Sequence, residues 1–430
     1  MNRLFLLFLV FAFGLTAVAQ QAKEEIEQNP NLSASNYLAY PAPTGKMTPA
    51  PKGYKPFYIS HYGRHGSRYL IDENDYNYPL QALGDAERQN RLTEMGKDVL
   101  RRLKLLREES RGRTGELTEL GAEQHKQIAQ RMYERFPEVF KGDVCIDAKS
   151  TVVIRCILSM ENELQQFLLL NPKLRIRHDA SYHDMYYMNQ QDTELYKKKM
   201  PQRAKVTYEK FCKDYKDYSD VMGRLFNDAD YIRYEVDAEK LGYVLFKLAG
   251  NLQSSELRKK ITLYDLFTKD ELHKYWLQTN AWWYINYGPS PLNGGMQPFS
   301  QRNLLQNIIH QADSCIALPH PGATLRFGHE TMVMPLACLL GLNGYDRQIK
   351  DLDKLEQEGW VNYRIFPMGA NIQFIFFRKK QGGDVLLKVL LNENEATLPI
   401  KTDMAPYYRW EDFKVYYNNK LAGYSSSEKL

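Results

Sequence analysis

The chain contains few cysteines, and none of them lies close to another in the sequence. The five cysteines are Cys145, Cys156, Cys212, Cys315 and Cys338. No Cys-x-x-Cys pair occurs, so the sequence lacks the ligand spacing of a structural zinc site. The number of cysteines is odd, and their spacing does not determine a disulfide pairing.

Long apolar runs are also scarce, because no stretch after residue 20 is hydrophobic enough to cross a bilayer. Dense basic segments with interleaved aromatic residues are absent, which gives no support for nucleic-acid binding. The short run Lys197–Lys199 is interpreted as a solvated face. The absence of a Gly-x-Ser-x-Gly turn gives no support for a serine nucleophile.

What remains is an ordinary globular composition with one special segment at the N-terminus. The 430 residues are 43% hydrophobic and 25% charged, and the formal net charge of +5 favours anionic ligands only mildly. Residues 1–3 end in an arginine, residues 4–18 are almost entirely apolar, and Ala17-Val18-Ala19 fits a signal-peptide cleavage site. We therefore predict that residues 1–19 are removed and that the protein is exported to the periplasm, the cell surface or the medium, with no transmembrane span left.

The densest group of reactive side chains lies in His61–Arg68, which reads HYGRHGSR and follows the apolar run Phe57–Ile59. At the end of a strand, this segment would place the His65 imidazole between Arg64 and Arg68. Arginine binds phosphate oxygens through paired hydrogen bonds, and a neutral histidine nitrogen can attack phosphorus. The segment therefore predicts phosphoryl transfer through a phosphohistidine, with a basic turn of no catalytic role as the alternative.

Two further segments carry side chains that fit the same chemistry. Arg155 follows a predicted strand and a polar turn, and would be a third phosphate-binding arginine. His329 and Glu330 follow another predicted strand; His329 would contact the phosphate, and Glu330 would donate the leaving-group proton. An HExxH zinc site is not supported, because Val333 stands where the second histidine would be. A helix-capping and salt-bridging role for His329 and Glu330 is the alternative.

Three strand–turn–helix units predict an α/β sheet. Their strands are Phe57–Ser60, Val144–Ile146 and Thr324–Phe327, and ligands in such sheets bind beyond the carboxyl ends of the strands. The three turns should therefore meet at one site. Two later strands, Ile372–Phe377 and Val385–Leu391, are expected to close the sheet in antiparallel orientation.

The remaining regions are predicted to be helical or irregular. Residues 171–300 are rich in Tyr, Lys and Asp and lack alternating strand patterns, which predicts a mostly helical insertion. The α/β core would comprise residues 20–170 and 301–430, with residues 20–56 as a polar, proline-containing lead-in that disfavours regular structure. Helical patterns are recognisable in residues 80–110, 118–136, 155–170, 238–252, 270–287 and 331–342.

Taken together, these motifs resemble those of the histidine acid phosphatases, the second branch of the histidine phosphatase superfamily. Arg64–Arg68 is similar to the RHGxR signature of that family, and Leu117–Gln124 is similar to its LTxxGxxQ helix start. Residues 150–159 fall where the family places its third phosphate-binding arginine, and Gly328–Thr331 resembles its His-acid motif. The resemblance covers about residues 57–400.

The acidic residue after the histidine distinguishes subgroups of this family. Many acid phosphatases and phytases have His-Asp, multiple inositol polyphosphate phosphatases have His-Ala-Glu, and this chain has His329-Glu330 with no spacer. The glutamate and the Ser67–Tyr69 stretch resemble the inositol polyphosphate group most. Leu70 and Lys149 depart from the family pattern, and these departures concern the substrate and the placement of the proton donor.

The resemblance implies a histidine-type phosphatase that needs no metal or other cofactor, with a small, mostly helical domain capping the site. Its catalytic residues would be His65 and Glu330, and phosphate would be bound by Arg64, Arg68, Arg155 and His329. The substrate would be a small phosphomonoester, with inositol polyphosphates such as phytate preferred. A broad-specificity acid phosphatase and a phosphate-binding protein without turnover are the alternatives, and the oligomeric state stays open.

Overall fold

The computed structural model describes residues 21–189, 192–380 and 382–424, so the predicted signal peptide lies outside the described residues. A single mixed sheet of eight strands forms the centre of this part of the chain. The strands are Tyr54–Arg64 (β1), Cys145–Ser150 (β2), Arg175–Asp179 (β3), Gly322–Gly328 (β4), Asn371–Lys379 (β5), Leu386–Leu391 (β6), Asn394–Ala396 (β7) and Tyr408–Arg409 (β8).

The sheet order is β3-β2-β4-β1-β5-β6-β7, with β8 paired to β6. The first four strands in this order run parallel, whereas β5, β6 and β7 are antiparallel to their neighbours. The predicted α/β class and the antiparallel closing strands are therefore confirmed. Because β1, β2 and β4 are parallel neighbours, their carboxyl ends and the three predicted turns lie at the same edge of the sheet.

Fifteen α-helices surround the sheet in the described residues. They are Gln21–Gln28 (α1), Asn74–Arg88 (α2), Glu94–Ser110 (α3), Glu119–Arg135 (α4), Ile154–Leu170 (α5), Met185–Met188 (α6), Thr193–Lys197 (α7), Gln202–Cys212 (α8), Ser219–Leu225 (α9), Ala229–Glu235 (α10), Ala238–Asn251 (α11), Lys269–Tyr287 (α12), Arg302–Ile316 (α13), Glu330–Leu340 (α14) and Trp410–Ala422 (α15). None of the described helices is both long and apolar enough to span a membrane.

The alternating side chains of β1 divide the core between the two faces of the sheet. Tyr58 and Tyr62 point to the face that packs against α13, α14 and α15. Ile59 points to the opposite face and packs against α4 and α5. All three side chains are fully buried, so β1 lies at the centre of the molecule and holds its carboxyl end rigidly.

Two segments differ in detail from the predicted secondary structure. Residues 80–110 are mostly helical, as predicted, but they belong to two helices, because Asn90 adopts a left-handed conformation (φ 56°) that ends the first of them. Residues 20–56 are not wholly irregular: α1 occupies Gln21–Gln28, and a 3₁₀ segment follows at Pro30–Tyr37. Ala22 and Ile26 are the buried side chains that anchor α1.

The helical layer also differs from the predicted division of the chain. The range 171–300 contains β3, which pairs with β2 in the central sheet. Helices α2 and α3, which fall in the predicted core range, pack with α9, α11 and α12 in a separate hydrophobic cluster. Helices α6 and α8 join the cluster on one face of the sheet instead. The two-domain division itself stays a prediction.

Candidate active site

His65 lies immediately beyond β1, where backbone hydrogen bonds fix it from both sides. Its backbone N–H donates to the carbonyl oxygen of Gly328 at 2.9 Å, and its own carbonyl accepts from the N–H of Gly369 at 2.9 Å. Gly328 ends β4, and Gly369 precedes β5. The position of His65 is therefore set by the two strands that flank β1.

The His65 imidazole is fully buried, with one nitrogen engaged and the other free. Nδ1 lies 2.9 Å from the carbonyl oxygen of Gly66, and because a carbonyl only accepts, Nδ1 carries the proton. Nε2 then holds the lone pair and has no hydrogen-bond partner among the described residues. Burial, together with the charges of Arg64 and Arg155, lowers the pKa of His65 well below its usual value, so the ring is neutral at pH 7.

Arg64 is anchored on one side and open on the other. Its Nη1 donates to the carbonyl oxygens of Asn36 at 2.6 Å and Phe366 at 2.9 Å. Its Nε lies 3.0 Å from Oε2 of Glu330, and its Nη2 has no hydrogen-bond partner in the part of the chain that the structure describes. Burial lowers the pKa of Arg64 to about 10, which leaves the guanidinium charged at neutral pH.

Arg68 and Arg155 complete a group of three guanidinium ions around His65. Arg68 donates to the carbonyl of Tyr69 at 2.9 Å, and Arg155 reaches the carbonyl of Gly115 at 3.4 Å. The Nε atoms of both are buried and have no hydrogen-bond partner among residues 21–189, 192–380 and 382–424. A buried donor without an acceptor is destabilising, so these guanidinium groups are arranged to bind an anion.

His329 and Glu330 lie at the start of α14, directly after β4. The His329 ring centroid lies 5.7 Å from that of His65, and its Nε2 lies 3.3 Å from Oγ1 of Thr151. Burial lowers the pKa of His329 to about 4. Burial alone would raise the pKa of Glu330, but the charges of Arg64 and the other cations lower it to about 2, so this carboxylate is ionised.

The helix start at Thr118 explains why glycines are needed near His65. A Cβ on Gly66 would lie 2.3 Å from the carbonyl oxygen of Gly121, and a Cβ on Gly121 would lie 2.2 Å from that of Ser67. Gln124 then holds Ser67 twice, accepting its backbone N–H at 2.9 Å and donating to its hydroxyl at 3.0 Å. The segment Leu117–Gln124, which carries the LTxxGxxQ pattern, therefore forms the surface on which the histidine loop packs.

Helix α5 fixes the loop from its other side. The Oγ of Ser159 accepts the backbone N–H of Gly66 at 3.1 Å. Arg155 lies one turn earlier on the same helix, so a single rigid element positions both the loop and the third guanidinium. The structure thus brings together all six residues singled out from the sequence.

Three side chains of the site are of the types that bind metal ions. His65, His329 and Glu330 each offer one ligand atom, and these three atoms lie within 4.8 Å of one another. The guanidinium groups of Arg64 and Arg155 both act on this cluster, however, and would repel a divalent cation there. The charges therefore fit an anion better than a metal ion.

Sequence reasoning missed the residues that anchor Arg64. Asn36 lies in the lead-in expected to be irregular, and Phe366 lies in the loop before β5. Both act through backbone carbonyls, which any residue type supplies, so no side-chain pattern could have identified them. Tyr37 was missed because it lies in the same lead-in, although it acts through its side chain: the Arg68 guanidinium lies 5.6 Å from the centroid of its ring.

Comparison with known proteins extends these observations. A sequence model of the histidine phosphatase superfamily (branch 2) matches residues 63–392 of this chain. The chain belongs to that family. The predicted enzyme class, a histidine-type phosphatase, is thereby confirmed. A search of curated proteins finds no match in sequence.

Solved structures related to this histidine phosphatase share its fold at low identity. The multiple inositol polyphosphate phosphatase of Bifidobacterium longum, in complex with phosphate, is 18% identical with a TM-score of 0.76, covering 90% of this chain and 98% of that one. The phytase of D. castellii is 14% identical with a TM-score of 0.63, covering 91% and 85%. The apo phytase of Hafnia alvei is 14% identical with a TM-score of 0.53, covering 86% and 98%.

Proposed function

We propose that this histidine phosphatase is an exported phosphomonoesterase that works through a phosphohistidine at His65 and acts on inositol polyphosphates. The observation that carries the proposal is the free, buried Nε2 of His65 among three guanidinium groups that each have an unpartnered N–H in the described chain. The proposal includes the cleavage of residues 1–19 and a helical cap formed mainly by residues 171–300.

In the first step, Arg64, Arg68 and Arg155 bind the phosphate oxygens, with His329 as a further contact. The Nε2 lone pair of His65 attacks phosphorus, the N–P bond forms, and the P–O bond to the leaving group breaks. The departing alkoxide takes a proton from the Glu330 carboxylic acid. Fixed charges directed at the transferring group account for most of the rate acceleration in such a site.

The position of Glu330 requires a movement when substrate binds. Its Oε2 lies 3.6 Å from Nε2 of His65, whereas the attacked phosphorus must come to about 3 to 3.5 Å from that nitrogen. The carboxylate therefore occupies the place of the phosphate and has to turn aside. A bound phosphate dianion then neutralises the arginines and repels the carboxylate, which raises the pKa of Glu330 and makes it a proton donor.

In the second step, water attacks the phosphorus of the phosphohistidine. The Glu330 carboxylate, now deprotonated, accepts a proton from that water while the N–P bond breaks and the electron pair returns to Nε2 of His65. Inorganic phosphate leaves, and Glu330 is protonated as it must be for the next transfer. One carboxyl group thus serves both steps.

The substrate class rests on likeness rather than on contacts. The Bifidobacterium longum phosphatase of similar fold is named for multiple inositol polyphosphates and has been crystallised with inositol hexasulfate. The glutamate after His329 in this chain resembles that group. We extend the same substrate class to this protein, with release of phosphate from phytate as the expected reaction.

One observation supports the alternative function, a broad-specificity acid phosphatase. A cavity of about 420 Å³ adjoins the site at Asn36 and Tyr37 and is lined largely by aromatic side chains, among them Tyr243, Phe246 and Trp282. Its two lysines are both paired with carboxylates, so the cavity is suited to flat or apolar leaving groups. Aryl phosphates would then be turned over as well as inositol phosphates.

The test compares phosphate release from phytate and from p-nitrophenyl phosphate by the purified protein, with and without a chelator. The proposal predicts release from phytate that a chelator does not change. Preference for the aryl ester would favour the broad-specificity alternative. Binding of inorganic phosphate with no release from either substrate would identify a binding protein instead.

A further inference from the structure

A second, smaller cavity lies beside the proposed catalytic carboxylate. It has a volume of about 120 Å³ and is lined by Thr331 and Met332, the two residues after Glu330, together with Lys199, Tyr196 and Tyr287. Burial, with the Glu330 charge as the next cause, raises the pKa of Tyr287 to about 12. The cavity therefore adjoins the turn of α14 that carries the proton donor.

Lys199 is held in this cavity in an unusual way. Its Nζ lies 3.6 Å from the centroid of the Tyr287 ring and 5.1 Å from that of Tyr196. Cation–π contacts of this kind hold an ammonium group in place without neutralising its charge. Burial lowers the pKa of Lys199 to about 8, so the group is still mostly charged at neutral pH.

The ion pairing of Lys199 differs from that of the other lysines that line the cavities. Lys216 lies 2.6 Å from a carboxylate oxygen of Glu239, and Lys247 lies 2.6 Å from one of Asp75. No carboxylate of the described chain lies within 4 Å of Lys199, and its backbone carbonyl is held by Asn293 at 2.9 Å. Lys199 thus presents a fixed, unneutralised positive charge to the cavity.

The prediction that Lys197–Lys199 is a solvated face is therefore wrong for its last residue. Lys197 is 66% exposed and pairs with Glu194 at 3.0 Å, as a surface lysine does. Helix α7 ends at Lys197, and the chain turns so that Lys199 faces the cavity. Helical periodicity does not extend past the end of α7, so the sequence did not reveal this change of direction.

One acidic residue on the cavity wall, Asp192, does not oppose anion binding. Its carboxylate caps α7 by accepting the backbone N–H groups of Glu194 and Leu195 at 3.1 and 3.0 Å. It also lies 2.5 Å from Nη1 of Arg302. These partners neutralise the Asp192 carboxylate, so the ammonium group of Lys199 remains available to a ligand.

We propose that Lys199 binds a second anionic group of the substrate, next to the phosphate held at His65, and thereby makes the protein prefer polyphosphorylated ligands. This inference rests on the proposed function, since it assigns a specificity-determining residue to the same site. It requires a ligand with at least two anionic groups on one small scaffold. A monophosphate ester fills only the arginine site and gains nothing from Lys199.

The experiment measures equilibrium binding, so that it does not depend on turnover. Inositol hexasulfate is titrated into the mature protein by calorimetry, and inorganic phosphate serves as the ligand with a single anionic group. Lys199→Met should weaken hexasulfate binding about tenfold more than phosphate binding, because one charge-assisted contact is lost. Lys199→Arg, which keeps the charge, should retain most of the wild-type affinity for inositol hexasulfate.

Lys197→Met is the matched control. It removes the same charge two residues before Lys199, at a position that is exposed and paired with Glu194. It should leave both affinities unchanged. An equal loss of both affinities in Lys199→Met, or no loss at all, would overturn the inference. Turnover of phytate by the wild-type protein is assayed separately, so its absence would contradict the proposed function without deciding the role of Lys199.

Discussion

The His125 imidazole and the Glu163 carboxylate form a buried pair, with Nδ1 and Oε1 2.7 Å apart. His125 lies on α4 next to Gln124, and Glu163 lies on α5, two turns after Arg155. The pair therefore joins the two helices that hold the histidine loop. Neither residue belongs to the motifs that indicated phosphoryl transfer, yet their contact links the two helices that carry parts of those motifs.

Breaking this pair should destabilise the protein. His125→Leu leaves the Glu163 carboxyl group buried without its hydrogen-bond partner, and an unsatisfied buried polar group costs about 1 to 3 kcal/mol. The free energy of unfolding in urea measures this loss. The double variant with Glu163→Leu should recover a large part of it, and two losses that simply add would contradict the pairing.

Gly121→Ala should reduce both stability and activity. The new Cβ would lie 2.2 Å from the carbonyl oxygen of Ser67, so the helix start must move away from the histidine loop. Gly84→Ala on α2 is the matched control, because its nearest neighbour is the Arg88 side chain at 3.8 Å. In a helix interior that change should stabilise by about 0.5 to 1 kcal/mol. Equal effects of the two substitutions on unfolding would refute this explanation.

His61 should make the fold sensitive to acid. It is fully buried with neither ring nitrogen hydrogen-bonded in the described chain, and burial, with His125 as the next cause, lowers its pKa from 6.5 to about 3. The unfolded state takes up the proton first. The contribution of His61 to the free energy of unfolding is therefore complete above pH 6.5 and falls as the pH drops towards 3, by about 1.4 kcal/mol per pH unit.

His61→Phe should reduce this slope, as measured by urea unfolding between pH 7 and about pH 4, while His65 and His329, whose pKa values are also lowered, still contribute to it. Replacing the exposed His310 by alanine is the control and should leave the slope as it is. An unchanged slope in His61→Phe would mean that another buried group controls acid unfolding.

Glu330→Gln should slow turnover by about 10²- to 10⁴-fold, because the leaving group loses its proton donor. The loss should be larger for phytate, whose alkoxide is a poor leaving group, than for p-nitrophenyl phosphate. Inorganic phosphate should bind at least as tightly as in the wild type, since a carboxylate no longer competes for Arg64. Equal losses on both substrates would argue against proton donation by Glu330.

The sequence identified the side chains that meet at the candidate site better than it predicted the secondary structure around them. The RHG segment and the residues at 155, 329 and 330 are informative because their side chains are charged or nucleophilic, and strand ends bring them together. Strand β3 was missed because its sequence RIRHD is charged and mostly exposed at the sheet edge, which gives no apolar alternation. Helix α1 was missed because it offers only two apolar anchors, Ala22 and Ile26.

Other features could not be inferred from one-dimensional patterns. The carbonyls of Asn36 and Phe366 that bind Arg64 come from a 3₁₀ segment and a loop about 330 residues apart in the chain. The inward direction of Lys199 depends on how the chain leaves α7. Such contacts depend on tertiary packing, so they became visible only in the folded structure.

The central claim is that His65 becomes covalently phosphorylated, and rapid quenching tests it most directly. Wild-type protein is mixed with substrate, stopped within milliseconds under alkaline conditions that preserve phosphohistidine, digested and examined by mass spectrometry. The account predicts a phosphate adduct on His65 that decays as inorganic phosphate appears and that is missing, together with turnover, in His65→Ala. Turnover at the wild-type rate in His65→Ala, or an adduct on another residue, would contradict it.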